Sequence, residues 1–372
     1  MQKLLQDKHL ALAKSSSDIG RIAHYRYTLP MLNESDTAYI PPRPVPPNLI
    51  SKVDAEIQKF KDMNIITTSE SGFNIPLLIL KKSDGSLRIS LDARQLNSKL
   101  IPDRYPLPSM PELLSKVSNR LSSGKGCFVT SLDVNKAYWQ LRVKDEDSRK
   151  LSFSYRNQHY KANRMLYGLS TAPAAWSKVM QEIFGQNDHI LVYLDDCLII
   201  SNTFEEHLQD LRWFFDQCIK HGIVLSPSKI NLCQPELEFL GHKIDANGIK
   251  PLDKHIEALE NFPRPICRNS LKRFIGMAQF NGKLVKDSSI TLAPLHRLCS
   301  NKIPFNWTSF TKIKVHEENN RFTIGLGINR PNNDCFRVMF KNKWPYELRH
   351  PTQFTVPDGW LYHCAPSVKH VR

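Results

Sequence analysis

Two apolar triplets, Ile190-Leu191-Val192 and Leu198-Ile199-Ile200, flank an acidic pair in the stretch HILVYLDDCLIIS. Runs this short and this apolar predict strands buried on both faces, with Asp195 and Asp196 at the turn between them. Other segments carry the same β-type pattern. IPLLILKKSDGSLRISLD predicts a hairpin turning at Asp84-Gly85, and ELEFLGHKIDANGIKP a second one turning at Asn247-Gly248. CFVTSLDV predicts a strand that ends at Asp133, and KLSFSYRNQHYKANRM a β pair. Helical spacing is equally clear. Ile50, Val53, Ile57 and Phe60 predict a helix ending near Asn64. RYPLPSMPELLSKV leads through a proline-punctuated loop into a short helix, and TAPAAWSKVMQEIFG predicts a helix with Pro173 in its first turn and Gly185 at its C-terminal cap. TFEEHLQDLRWFFDQCIKHG has a Thr203–Glu206 capping box, an apolar face of Leu208, Leu211, Phe215, Cys218 and Ile219, and Gly222 at its end. Two more helices are expected, over 252–262 and from Ser270 to about Val285. Strands and helices interleave without a βαβ alternation, which predicts an α+β fold with an antiparallel sheet.

Composition adds a partner class. Lys and Arg number 51 against 36 acids, a formal charge of +15 over 372 residues. A surplus this large points to a polyanion such as nucleic acid, the plainer alternative being a soluble protein that is simply basic. The eight cysteines are scattered with no C-x-x-C spacing, which argues against a zinc site or disulfide framework and for a reducing compartment. No stretch has signal-peptide character or the length to span a bilayer, so the expectation is an intracellular, soluble protein without membrane association, cytoplasm and nucleus being indistinguishable. Residues 1–39 are polar and mixed and predict a loosely ordered arm. Prolines at 41, 42, 44, 46 and 47 predict an extended linker after it. No P-loop, G-x-G-x-x-G or internal repeat is present.

The acids are the candidate chemistry. Asp133 closes an apolar strand, and Asp195 follows 62 positions later (195 − 133). If those strands are neighbours, three carboxylates reach one sheet edge. Hard divalent cations take oxygen ligands, and a pair of such ions about 3.5–4 Å apart activates an attacking hydroxyl and steadies a leaving oxygen in phosphoryl transfer. Metal charge would then offset the cost of burying carboxylates. From the residues alone the alternative stands open that Asp-Asp is an ordinary β-turn, which Asp favours. A glycosidase carboxylate pair would leave the positive charge and the adjacency of the acids unexplained.

At these residues the chain resembles the reverse transcriptases of Gypsy-type long-terminal-repeat retrotransposons. The likeness runs from about residue 40 to about 308 through LKKSDGSLRISLDARQLN, DRYPLP, SLDVNKAYWQLRV, MLYGLSTAPAAW, VYLDD, EFLGHKIDANGIKP and FNWT, in the family's order. The resemblance implies a right-hand polymerase fold: an arm and linker at 1–47, fingers and palm over 48–249, a thumb-like helical region over 250–308, and an unassigned tail over 309–372. It implies RNA-directed DNA synthesis with two Mg²⁺ ions on Asp133, Asp195, Asp196 and the carbonyl of Val134. The partners implied are an RNA or DNA template with its primer and deoxynucleoside triphosphates. Lys81, Lys82 and Arg88 match the grip on the triphosphate, Tyr138 the steric gate against a ribose 2′-hydroxyl, and Tyr167 and Gly168 the nucleotide-adjacent pair. Leu240 and Gly241 match the hairpin that steadies the primer end. Ala137, Trp139, Ala93 and Tyr167 depart from the residues most frequent in the family, without removing an implied metal ligand. No D-[ST]-G protease signature appears, and Trp344 and Trp360 in the tail come with no spaced acids on strands. A second reading is therefore a basic, catalytically inactive nucleic-acid-binding remnant of a retroelement polyprotein.

Overall fold

A computed structural model describes residues 2–15, 17–82, 85–122, 127–245, 248–284, 288–305, 310–318, 321–328 and 335–341. The chain divides into two compact units: Met1–Leu113 with Cys127–Gln234, and Leu114–Gly126 with Pro235–Arg372. The expected division at 249/250 falls inside the second unit.

The first unit contains helix α1 (Gln2–Asp7), strand β1 (Arg26–Tyr27), α2 (Ile50–Asp62), β2 (Ile66–Thr68), β3 (Leu77–Lys81), β4 (Leu87–Leu91) and the single turn α3 (Arg94–Asn97). Helix α4 (Met110–Leu121) crosses the boundary between the units in sequence. The first unit resumes with β5 (Phe128–Asp133), β6 (Arg142–Val143), α5 (Asp145–Ser148), β7 (Ser152–Tyr155), β8 (Gln158–Ala162), α6 (Ala172–Phe184), β9 (Ile190–Tyr193), β10 (Asp196–Ser201) and α7 (Phe204–His221). Its central sheet has the order β5-β10-β9, antiparallel throughout. Helices α6 and α7 pack on it, so Cys197, Leu198, Ile199 and Ile200 are all fully buried. That two-sided burial is why β10 reads as an unbroken apolar run rather than an alternating one. A second antiparallel sheet, β2-β8-β7, and the β3–β4 hairpin complete the unit with a short parallel pair, β1–β6.

The helices form where local chemistry places them. In α7 the Thr203 hydroxyl accepts from the Glu206 amide, and the Glu206 carboxylate accepts from the Thr203 amide, satisfying two amides that the first turn leaves open. Of the stripe predicted in α2, Val53, Ile57 and Phe60 are buried and Ile50 is half-buried. Gly185 follows α6 in a right-handed conformation, not the left-handed cap expected of glycine.

The expectation of a loosely ordered N-terminal arm is not met. Leu4, Ala11, Ile22, Tyr27, Leu29, Met31 and Ala38 all enter the main core. The Tyr27 hydroxyl is bonded to that of Thr171, and the Ala13 amide donates to the Leu225 carbonyl at 3.0 Å.

The second unit contains the meander β11 (Glu236–Phe239), β12 (His242–Asp245) and β13 (Gly248–Pro251), then α8 (Asp253–Glu260), α9 (Arg268–Phe280) and α10 (Ser288–Leu298). Strands β14 (Phe310–Glu318), β15 (Arg321–Ile328) and β16 (Cys335–Lys341) form a further antiparallel sheet in the segment expected to be a tail. The expected hairpin over 236–251 is thus two hairpins sharing β12. Asp84, Asn247, Trp307, Trp344 and Trp360 lie outside the described residues. Among the described residues no helix is long and apolar enough to cross a membrane.

Candidate active site

The two acidic motifs meet because β5 and β10 are hydrogen-bonded neighbours. Asp196 faces Asp133 across one ladder and Tyr193 across the other. One step further, the Val134 amide donates to the Asp195 carbonyl at 3.0 Å. Positions 133, 134, 195 and 196 therefore share one sheet edge, as expected if the strands were neighbours.

The turn that presents Asp195 is strained and held. Tyr193 and Asp196 pair directly, leaving the two-residue loop Leu194-Asp195. Leu194 sits at φ 54°, a left-handed conformation that is costly for a residue with a branched side chain. Its carbonyl accepts a hydrogen bond from the Trp176 indole Nε1 at 2.8 Å, and Trp176 is fully buried on α6. A turn in an unfavourable conformation persists when its surroundings fix it; here a ring buried in the core does so.

The three carboxylates have different surroundings. Asp195 is exposed and Asp196 half-buried, so the burial cost anticipated for the pair falls little on Asp195. The Asp133 side chain is 14% exposed and its Oδ2 lies 2.8 Å from Lys229 Nζ. Burial raises the Asp133 pKa; the Lys229 ammonium opposes that shift and the charge of Asp195 adds to it. Burial works against the charge on Lys229, but the ion pair with Asp133 and the fields of Asp195 and Asp196 outweigh it and raise its pKa.

Among the described residues no group of three or more His, Cys, Asp and Glu side chains is gathered closely enough to hold a metal ion. The backbone brings the acids to one edge while their side chains are not drawn around a common point. The donor set still suits a hard cation, being carboxylate and main-chain oxygen. An ammonium already sits against Asp133, which is the electrostatic complement such an edge requires.

Aromatic side chains stand beside the acids. Tyr138 lies on a 3₁₀ turn over 137–140, its ring 5.3 Å from that of Tyr167 and 6.4 Å from that of Trp176. Its pKa is pushed up to about 12 by burial, with Asp195 and Tyr167 adding and Arg88 opposing. Burial also raises the Tyr167 pKa, Arg88 opposing it and Asp195 and Asp133 adding to it. Gly168 has φ 110°, and a Cβ there would stand 2.1 Å from the Leu91 carbonyl oxygen, so only glycine fits. That close approach lets the Leu91 amide donate to the Tyr167 carbonyl at 3.0 Å, tying the Tyr167-Gly168 corner to β4.

On β3–β4, Arg88 lies with its guanidinium carbon 4.1 Å from the Tyr167 ring centroid. Lys81 and Lys82 are exposed at the tip of the same hairpin. Arg88, Tyr167, Tyr138 and the acids thus form one continuous surface. Leu240 and Gly241 belong to the second unit, where φ values of 49° and 73° form the two-residue turn between β11 and β12. Both central residues are left-handed, the pattern of a type I′ hairpin. His242 Nδ1 donates to the Leu240 carbonyl at 3.0 Å, and its ring stacks on Phe280.

Sequence reasoning missed three residues at this edge. Lys229 reaches Asp133 across a separation of 96 residues and has no local signature beyond the turn residues of LSPSKI. The sequence around Trp176 signals only a helix, not the indole's bond to the Leu194 carbonyl. Lys136 stands at φ 48° beside the Trp139 ring, 5.1 Å from its centroid, where burial lowers its pKa, Glu56 opposing and Lys59 and Lys82 adding to the shift.

Residues 79–244 match the family described as reverse transcriptase (RNA-dependent DNA polymerase). The chain is 32% identical over 251 residues to the retrovirus-related Pol polyprotein from transposon 297 of Drosophila melanogaster, covering 66% of this chain and 23% of that one. It is 30% identical over 275 residues to the corresponding polyprotein from transposon opus of the same species, covering 72% and 27%. It therefore spans about a quarter of the length of those relatives. Among solved structures, the foamy viral protease-reverse transcriptase in complex with dsDNA superimposes with a TM-score of 0.71 at 18% identity, over 80% of this chain and 61% of that one. A dRH form of the same protein, also with dsDNA, gives 0.75 at 16% identity, over 91% and 64%. The chain accordingly carries, on a mixed α+β polymerase fold, a reverse transcriptase domain related to the Pol polyproteins of Gypsy-type long-terminal-repeat retrotransposons.

Proposed function

We propose that this domain is an RNA-directed DNA polymerase that adds deoxynucleotides to a primer 3′-hydroxyl. The observation that carries the reading is Asp133 facing Asp196 across the β5–β10 ladder with Asp195 at the adjoining turn. Asp133, Asp195, Asp196 and the Val134 carbonyl would hold two Mg²⁺ ions, which when bound supply charge stabilisation to the transferred phosphoryl group. The chain's own residues do the rest. Arg88, with Lys81 and Lys82, neutralises the triphosphate, the Arg fork and the Lys point charges both suiting phosphate oxygens. The Tyr167 ring supports the Arg88 guanidinium from below. Tyr138, packed by Tyr167 and Trp176, forms a wall against a ribose 2′-hydroxyl and so selects deoxynucleotides. The Lys229 ammonium, 2.8 Å from Asp133 Oδ2, opposes the rise that burial imposes on the Asp133 pKa.

On this reading residues 48–249 supply fingers and palm, residues 250–308 the thumb, and the Leu240-Gly241 turn the primer-side hairpin. A template–primer duplex as partner is supported by the foamy viral relatives solved with dsDNA and with an RNA/DNA hybrid. The net charge of +15 agrees with it. The test is primer extension on an RNA template by the purified chain in Mg²⁺. Extension that stops in chelator and in Asp195→Asn supports the proposal. Salt-sensitive template binding without any extension would replace it with the inactive-remnant reading.

A further inference from the structure

Outside the acidic edge, the first unit gathers four arginines around one position. Arg26 on β1 pairs in register with Arg142 on β6. Arg142 in turn bridges Arg164 in antiparallel register. Register partners project from the same side of a sheet, so three guanidinium-bearing side chains stand in a row across adjacent strands, about 10 Å from first to third at ordinary strand spacing. Arg21 adds a fourth charge, acting on Arg164 together with those of Arg26 and Arg142. Burial pulls the Arg164 pKa down to about 10 and these three neighbours add to the shift, so the group remains charged at neutral pH. No carboxylate is among the charges acting on Arg164, and among the described residues none of the four makes an ion pair.

The row is anchored. Arg164 Nη1 donates to the Gly20 carbonyl at 2.8 Å and the Trp139 carbonyl at 2.9 Å, which fixes the half-buried member without neutralising it. Arg21 and Arg26 are exposed and Arg142 is half-buried, so the free donors face solvent. Like charges placed directly opposite one another destabilise a sheet. Other basic side chains of this unit are matched by acids, among them Lys8 by Asp216, Arg156 by Asp54 and Lys150 by Asp147. An unmatched row of planar forks is the arrangement that binds successive phosphates of a polyanion.

We infer that Arg21, Arg26, Arg142 and Arg164 form a second phosphate-contact surface, separate from the triphosphate grip, that holds the backbone of a nucleic-acid strand. The inference rests on the polymerase reading for its partner, but its test needs neither metal nor nucleotide. The binding of a fluorescent single-stranded oligonucleotide and of a primer–template duplex is measured by anisotropy across a salt series. The variant is Arg26→Gln/Arg142→Gln, which spares the anchored Arg164. The control is Lys8→Gln/Arg156→Gln, which removes the same net charge from residues already paired with acids. Two lost phosphate contacts reduce the slope of log K against log salt by about 1.4 for the single strand and about 1.8 for the duplex, with affinity falling about tenfold at moderate salt. The melting temperature of the variant should hold or rise, since it loses repulsion. Slope and affinity unchanged from wild type, or shifted equally by the control, overturn the inference. Loss of binding only to vesicles rich in phosphatidylserine, with oligonucleotide binding intact, also overturns it. A chain that fails to extend primers yet shows the predicted slope change loses the polymerase reading and keeps this surface.

Discussion

The two ends of strand β10 serve opposite purposes. At its start, Asp196 faces Asp133 beside a strained turn, three acidic residues share one sheet edge, and the Lys229 ammonium is paired with Asp133. At its end, Ser201 belongs to a closed polar network. Its hydroxyl donates to Asp210 at 2.6 Å and lies 3.0 Å from His207 Nδ1, while His207 Nε2 meets the Thr130 hydroxyl at 2.7 Å. Asp210 also accepts from Asn187 Nδ2 at 3.1 Å and is paired with His189 at 2.6 Å. The two arrangements lie at opposite ends of one six-residue strand, Asp196 to Ser201. One end presents carboxylates at an exposed turn; the polar groups of the other satisfy one another within the chain. A fully satisfied buried network rigidifies its surroundings, and here it anchors the strand whose far end carries the acids.

The largest effect should come at the acidic end. Asp133→Asn is expected to lower primer extension at least about a thousandfold, roughly 4 kcal/mol in barrier, while leaving the melting temperature within a degree or two. The stability is expected to survive because an ion pair to a Lys229 side chain that is 62% exposed contributes little. A large drop in melting temperature would erase the contrast between the two ends.

Next comes the complete end. Asp210→Ala strips the acceptor from Ser201, Asn187 and His189 and should cost roughly 2–4 kcal/mol in urea unfolding, with activity per folded molecule retained. The pH dependence follows the same division. Burial depresses the His207 pKa to about 4, Asp210 opposing the shift. The unfolded chain takes up a proton near pH 6.5 and the folded chain resists until about 4. Stability is therefore fully present above pH 6.5 and declines as pH falls toward 4, by roughly 3 kcal/mol. His207→Gln should flatten that decline in an unfolding series; an unchanged slope would place its cause elsewhere.

The smallest expected effect lies between the ends. Trp176→Phe keeps an aromatic ring and removes the indole donor to the Leu194 carbonyl, which should cost about 1–2 kcal/mol. Because that bond holds the turn presenting Asp195, the loss should appear in kcat and in the Mg²⁺ concentration needed for half-maximal rate, not in the KM for template. Equal changes in all three would mean a general packing defect.

Much of the fold was legible because its signals are local. The Asp-Asp hairpin follows from two apolar triplets, α7 from a capping box, and α2 from a stripe at helical spacing. The N-terminal segment escaped because Leu4, Ala11 and Ile22 are spaced widely among polar residues, and the alternation of Tyr27, Leu29 and Met31 covers too few positions to mark a strand by itself. Meander β11-β12-β13 was half legible: Asn247-Gly248 is a strong turn signal, whereas Leu240 at φ 49° is a poor one. At the site, the acids and Tyr138 were legible through the motifs that carry them. Lys229 was not, since an ion pair across 96 residues leaves no trace in either segment. Nor was the arginine row, whose members come from three separate stretches and meet only through strand register.

The account stands on a shared cation at the Asp133–Asp195–Asp196 edge. Anomalous scattering from Mn²⁺, in crystals grown with primer–template and a non-hydrolysable deoxynucleotide, tests it most directly. The prediction is density touching the carboxylates of both Asp133 and Asp195, with Lys229 Nζ moved away from Asp133. Ordered primer and nucleotide with no such density, and the Lys229–Asp133 pair still closed, would contradict it.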